Sequence, residues 1–434
     1  MASTHLSRTP SSSGSRTTWT WSAWIKLSAF SGATFYLENA GSSGTNDTGL
    51  SIEASSRLEL FNRISGSVNA KKTTSRKLRD TAWYHIVAVW DTTNATADDR
   101  LRLYINGERE TAFDISTNPS SSENSSLNNN VVHSIGSVAG GGAGTYFDGS
   151  MTHIHFIDGT AYDADTFGET DATTGIWKPK TAPSVTYGTN GFFLKGENSG
   201  AFGTDSSGNA NNFTVNGTPT QIIDTPSNVF ATLNPLALTT RQTLSNGNLT
   251  GTSSSWTSAI STFGFTKGKY YAEVKYVDTT GNIMVGVMDE QDMSSLTGGT
   301  GGLGFTTNSV GYYSSDGTKF IGDSASSYGA SYTANDILGI AVDLDSATKT
   351  VTFYKNGASQ GAINLPTTGT GTFFIGTSTT NNGISAINFG NGFFGTTAVA
   401  SAQNPDDGIG IFEHDVPANY RALTTKSINA QEYS

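Results

Sequence analysis

The chain has 434 residues, enough for two or three domains at about 150 residues each. Charged residues are only 14% of it, against about 25% in average globular chains, while glycine fills 50 positions, aromatics are 11% and cysteine is absent. Disulfide, thiolate-metal and thiol chemistry are thereby excluded, and the balance of 25 − 36 = −11, with an isoelectric point near 5.0, disfavours a nucleic-acid partner.

Period-two alternation dominates from the start of the chain, and no run approaches the ~18 apolar residues of a membrane span. The opening MASTHLSRTP has no apolar core of a secretory signal, so no Sec-type export is expected. The first strand-like run is TWTWSAWIKL (18–27), with Trp19, Trp21 and Ala23 on one face. The basic cluster Lys71, Lys72, Arg76, Lys77 and Arg79 lies between two strand-like runs and is read as a solvated hairpin edge. WYHIVAVW (83–90) is apolar on both faces, which places it centrally in a sheet covered on both sides. In RLRLYING (100–107), Leu101, Leu103 and Ile105 point inward and Asn106-Gly107 closes a tight turn. The strand-like run 151–157 follows, then a turn-rich connector over about 158–190.

A composition shift to Ser, Thr, Asn and Gly near Asn234-Pro235 to Gly251 marks a domain boundary. Beyond it, DILGIAVDL (336–344) and TVTFYKNG (350–357) repeat the strand–turn–strand device of the first half. The fold class expected is all-β, with two separate sandwiches.

Several phrases carry a family resemblance. TWTWSAWIKL, WYHIVAVWD, RLRLYINGE and YFDGSMTHIHFIDG resemble a laminin-G/pentraxin-like, concanavalin A-type jelly roll across about residues 5–170. GTDSSGNANNFTVNG (203–217) resembles a turn of such domains and would supply the last strands of the same sandwich. GKYYAEV, IMVGVMD, GYYSSDG, DILGIAVDLD, TVTFYKNG and NFGNGFF occur in the order of a SPRY domain over about 255–395. DTPSNVFATLNPL (224–236) and FEHDVPANYRALTTKSI (412–428) resemble segments of virion proteins of tailed phages, notably marine ones. The resemblance implies two jelly-roll-type β-sandwiches (LamG-like, then SPRY-like) joined by an extended linker. The expected divisions are 1–185, a connector at 186–250 that would complete the first sandwich, 251–397, and a C-terminal tail at 398–434. It further implies a non-enzymatic virion structural protein, exposed on a tail or fibre-like appendage and contacting host surface glycans. Its partners would be other virion proteins and further copies of itself, without membrane insertion, and it would be made in the host cytoplasm. About a dozen residues precede the first long strand, so no dedicated N-terminal virion anchor is expected. The alternatives are a capsid decoration or head-fibre protein and, more remotely, a polysaccharide depolymerase.

Catalytic patterns are incomplete. Retaining glycosidases need two carboxyls about 5–5.5 Å apart, yet Glu290-Gln291-Asp292 ends in Ser295, and Glu169-Thr170-Asp171 runs on to Thr174. Gly357-Ala358-Ser359-Gln360-Gly361 satisfies G-x-S-x-G but follows a hairpin turn, whereas a nucleophile elbow leads into a helix. His153 and His155, with His133 as a third, are a conceivable metal set, although hydrogen-bonded strand histidines are the commoner case. Calcium is the one candidate cofactor. Asp205, Asn209 and Asn211 offer it hard oxygen ligands within one loop, and so do Asp163 and Asp165. The same residue types also form Asx-turns, and both readings stay open. For a ligand face, Tyr312, Tyr313, Tyr328 and Tyr332, with Asp316 and Asp323 nearby, combine aromatic rings with carboxylates. Trp19, Trp21, Trp24, Trp83 and Trp90 lie in strands and are assigned to the core.

Overall fold

The computed structural model of the chain describes residues 4–30, 33–142, 145–172, 175–237, 242–278, 280–298 and 301–432. The chain divides into two compact units: one reaches Gln221 and includes Thr225–Ser227, and the other consists of Ile222–Asp224 and the chain from Asn228 onward. No helix among the described residues is long and apolar enough to cross a membrane.

In the first unit an eight-stranded and a six-stranded antiparallel sheet face each other. The alternation of Thr18–Leu27 aims Trp19, Trp21, Ala23 and Ile25 inward, beside Ile86, Ala88 and Trp90 of Trp83–Asp91. They meet Leu37, Leu50, Ile52, Leu58 and Leu60 of the opposite sheet. Trp19 stacks on Trp90 at 6.1 Å with the rings 4° apart; truncating either would cost about 3–5 kcal/mol. All five tryptophans assigned to the core are buried, at 7% exposure or less.

Trp83–Asp91 lies between Thr18–Leu27 and Leu101–Ile105, as its two apolar faces require. Its outward Val87 and Val89 are covered by a second cluster with Tyr104, Ile157, Ala164 and Phe167. The turn-rich segment after residue 158 is therefore a cover layer over the six-stranded sheet, with its own hairpin of Gly168–Thr170 and Trp177–Pro179. Further along, Phe192–Leu194 adds a strand to the six-stranded sheet and Thr214–Asn216 adds one to the eight-stranded sheet. Phe192, Leu194 and Phe213 enter the core.

The second unit repeats the plan with an eight-stranded and a six-stranded sheet. Tyr270, Ala272, Val274, Leu338, Ile340 and Val342 of one sheet pack on Val285, Val287, Val310, Tyr312 and Ile375 of the other. Its limits differ from the expected ones on both sides. The boundary falls at 221–228 rather than at 234–251, and Ala231 and Leu233 are core residues. The Ser/Thr/Asn/Gly-rich stretch is an edge hairpin, Thr243–Ser245 against Thr250–Ser253. Asn246, Gly247 and Asn248 turn it at φ 54°, 67° and 62°, a left-handed conformation that favours those residue types. The composition thus reports a turn, not a linker. The segment beyond 397 is not a free tail either: Arg421–Ala422 pairs in parallel with Lys269–Asp278, Leu423 is fully buried, and the helix Thr425–Glu432 follows.

A row of glycines crosses the six-stranded sheet of this unit, Gly286 pairing directly with Gly311 on one side and Gly376 on the other. A Cβ on Gly311 would stand 2.1 Å from the Leu303 carbonyl oxygen, so this glycine is what lets that backbone lie against the sheet. Leu303 is held there by its N–H on Ser378 Oγ (2.8 Å) and by packing on Met288.

Candidate functional site

The first unit contains a serine–histidine pair whose polarity is fixed by its third partner. Ser22 Oγ lies 2.9 Å from His85 Nε2, and Trp177 Nε1 donates to His85 Nδ1 at 3.0 Å. An indole N–H can only donate, so Nδ1 is an acceptor and the neutral ring carries its proton on Nε2, donating to Ser22. A nucleophile needs the reverse, with a free Nε2 taking the serine proton. Burial, with a smaller push from His153, brings the His85 imidazole down to about 3, and Trp24 stacks on it at 4.9 Å. The pair is a packed structural element.

The other histidines do not assemble a metal centre. Buried His155 stacks on Phe193 at 4.0 Å and bonds Tyr187 Oη through Nδ1 at 2.9 Å; burial lowers its pKa well below the ordinary value. His153 sits at a β-bulge with φ 50°, its Nδ1 3.1 Å from Thr152 Oγ1. His133 belongs to the opposite sheet, where its Nδ1 is 3.5 Å from the buried Glu38. Among the described residues no three His, Asp or Glu side chains converge as a metal site.

The calcium reading of 205–211 is corrected by donor direction. Asp205 Oδ1 accepts the N–H of Phe193 and of Ser207, both at 2.8 Å. Its Oδ2 accepts the Asn211 N–H and the Ser207 hydroxyl, again at 2.8 Å. Asn209 and Asn211 turn their NH₂ groups to the carbonyls of Gly188, Thr189 and Gly191, and Asn211 Oδ1 accepts from Arg8. A carboxylate ringed by donors fills its lone pairs with protein hydrogens, and a cation would face those hydrogens. The loop is an Asx-type scaffold that pins the edge strand Phe192–Leu194. Asp163 is likewise engaged, accepting from Tyr104 Oη at 2.6 Å with Arg102 3.6 Å away. Three carboxyls of the glycosidase-like patterns are also engaged: Asp292 is bonded to the Asn308 backbone and side chain, and Glu169 and Asp171 face Lys178 at 3.7 and 2.9 Å. Ser359 lies in the hairpin strand Ala358–Asn364.

The expected tyrosine face is split by strand parity. Tyr312 and Tyr332 are core residues at 0% and 4% exposure, with Tyr332 Oη on the Tyr312 carbonyl at 2.5 Å and Tyr312 Oη on the Ala330 carbonyl. Neither presents a face to a ligand. Tyr328 packs edge-on against Phe353 and donates to the Gly361 carbonyl at 2.5 Å. Asp316 caps its own turn through the Thr318 N–H at 3.0 Å. Asp323 is an exposed turn residue at φ 62°.

Tyr313 points to the other side of its strand and joins an aromatic group absent from the sequence reading. Its ring lies 5.7 Å from Trp256 and 6.0 Å from Phe320, while Phe305 lies 6.0 Å from Trp256 and 5.3 Å from Phe320. All four are half-buried, so each is partly open to solvent. Asn282 Nδ2 donates to Tyr313 Oη at 3.0 Å and fixes the ring's tilt. Partly exposed aromatics held rigidly beside an amide can receive a ligand with apolar C–H faces and polar edges. Trp256 gave little signal in the sequence, being a lone aromatic in the serine-rich run SSSWTS.

Comparison with known proteins agrees with this architecture. Residues 2–166 match the family model of the concanavalin A-like lectin/glucanases superfamily (Laminin_G_3), and residues 269–392 match that of the SPRY domain. A concanavalin A-like domain is therefore followed by a SPRY domain. No curated protein matches the chain. Among solved structures it is similar to a human SPRY domain, at 21% identity over 32% of this chain and 90% of that one, with a TM-score of 0.27. A heptameric SAP-like pentraxin from Limulus polyphemus gives 18%, 37%, 71% and 0.28, and the SPRY domain of human HERC1 gives 16%, 34%, 91% and 0.27.

Proposed function

We propose that the protein is a non-enzymatic structural component of a phage particle, exposed on a tail or fibre-like appendage, that contacts host glycans. The observation that carries the contact is the half-buried ring cluster of Trp256, Phe305, Tyr313 and Phe320 on a SPRY-type sandwich. The engagement of Ser22, His85 and Asp292 in structural hydrogen bonds supports binding over hydrolysis. The virion assignment rests on the phage-like phrases at 224–236 and 412–428.

A glycan array probed with the full chain tests the contact. Binding to at least one surface polysaccharide is expected, and Trp256→Ala should weaken it at least tenfold, about 1.4 kcal/mol, with unchanged melting. Equal binding by Trp256→Ala and Tyr313→Ala proteins would refute the patch, and release of reducing ends would point to a depolymerase. Locating the chain on the particle by cryo-EM tests the rest: a few copies at the tail support the appendage reading, whereas density across the capsid lattice supports decoration.

A further inference from the structure

A cavity of about 320 Å³ opens in the second unit, lined among others by Lys269, Asp345, Asp406, Asp407, Tyr420 and Arg421. It lies at the low end of ligand-pocket volumes, suited to one small molecule. Its walls come from separate stretches of chain, and two of them, at 406–407 and 420–421, lie beyond the SPRY match at 269–392.

The polar groups are positioned in advance. Each carboxylate spends an oxygen on a backbone N–H: Asp345 on Gly268 (2.9 Å), Asp406 on Asn419 (2.8 Å) and Asp407 on Ile409 (3.0 Å). The second oxygen of Asp407 is buried 3.7 Å from Arg421 Nε, an ion pair that holds the guanidinium at the cavity wall. Gln431 clamps the Lys269 backbone, accepting from its N–H (2.8 Å) and donating to its carbonyl (3.1 Å). The Lys269 ammonium is neutralised by Asp343 at 2.9 Å and lies 5.8 Å from the centre of the Tyr420 ring.

Three carboxylates would repel an anion, an apolar ligand would leave the second oxygens of Asp345 and Asp406 without a donor, and the guanidinium opposes a bare metal ion. What fits is a neutral molecule whose hydroxyls both donate and accept. We propose that the cavity is a sugar site for a single neutral pyranose unit, whose hydroxyls donate to Asp345 and Asp406 and accept from Arg421. It is a separate site from the Trp256 patch and stands or falls independently of it.

Saturation-transfer-difference NMR on the full chain, with the methyl glycosides of glucose, galactose, mannose and N-acetylglucosamine as probes, tests this. At least one probe should give a signal, and Asp406→Asn and Arg421→Met should each reduce its affinity at least tenfold while Trp256→Ala leaves it unchanged. Asn at 406 keeps an acceptor for the Asn419 N–H, so that variant should fold. In the unmodified chain, amide shifts at Ile409 and Asn419 should move on titration, which checks the site without any substitution. Absence of signal from all four glycosides, persistence of the signal in both pocket variants, or its loss in Trp256→Ala alone would each overturn the proposal.

Discussion

At the scale of single residues, the buried Glu273 has the clearest solution consequence. Its carboxylate accepts the N–H groups of Glu413 (2.7 Å) and His414 (2.9 Å) and the Tyr271 hydroxyl (3.2 Å). Burial outweighs these bonds and pushes its pKa from 4.5 up to about 7. The folded state therefore holds the proton more tightly than the unfolded state. That contribution to stability is complete below about 4.5 and is lost as pH rises through 7, on the order of 3 kcal/mol. Denaturant melts of the second unit between pH 5 and pH 8 should show this loss, and Glu273→Gln should flatten it; a wild-type protein insensitive to pH in that window would contradict the assignment. The adjacent Tyr312 and Tyr313 show what was legible at this scale. Both suit a ligand face by type, but Val310 points inward, and period-two parity then places Tyr312 inside and Tyr313 outside. That signal was present in the sequence. The direction of donors around Asp205 was not, because Asp, Ser and Asn in one loop serve an Asx scaffold and a calcium site equally well.

At the scale of elements, the glycine row is the most demanding arrangement. A methyl on Gly311 meets the Leu303 carbonyl oxygen at 2.1 Å and its carbon at 2.7 Å, backbone atoms that cannot swing aside. Gly311→Ala should lift the segment from the sheet and destabilise the second unit by about 1–3 kcal/mol. An unchanged midpoint in a urea melt would refute that close approach. Strands whose faces differ in polarity, or are apolar on both sides like WYHIVAVW, could be placed from the sequence because burial dictates their side chains. The cover layer after residue 158 and the hairpin at 243–253 could not. Turn-forming residues look alike whether they join domains or bend back onto a sheet, and only the distant partners of Trp177 or Gly251 reveal which.

At the scale of the whole molecule, the two units should respond to pH in opposite directions. His85 titrates near 3 in the fold, and the pKa of His155 is also well below 6.5. Protons thus bind the unfolded form of the first unit preferentially below about 6.5, so that unit gains stability as pH rises from 5 to 8. Over the same interval Glu273 takes stability from the second. Hydrogen exchange read separately over the two units at pH 5 and pH 8 should show protection rising in one and falling in the other; parallel changes would mean that other groups dominate.

The parallel pairing of Arg421–Ala422 has a consequence in time. The Val229 N–H reaches Thr425 Oγ1 across 196 residues of chain, and the Ala231 N–H reaches the Leu423 carbonyl. Translation at about 5–20 residues per second separates such partners by roughly 10–40 s. The first unit has all its strands once residue 216 has left the ribosome, whereas the Tyr270–Tyr271 edge waits bare until residues 421–423 arrive. The second sandwich stays unsealed along this edge until those residues emerge, which makes the nascent chain the form most exposed to aggregation.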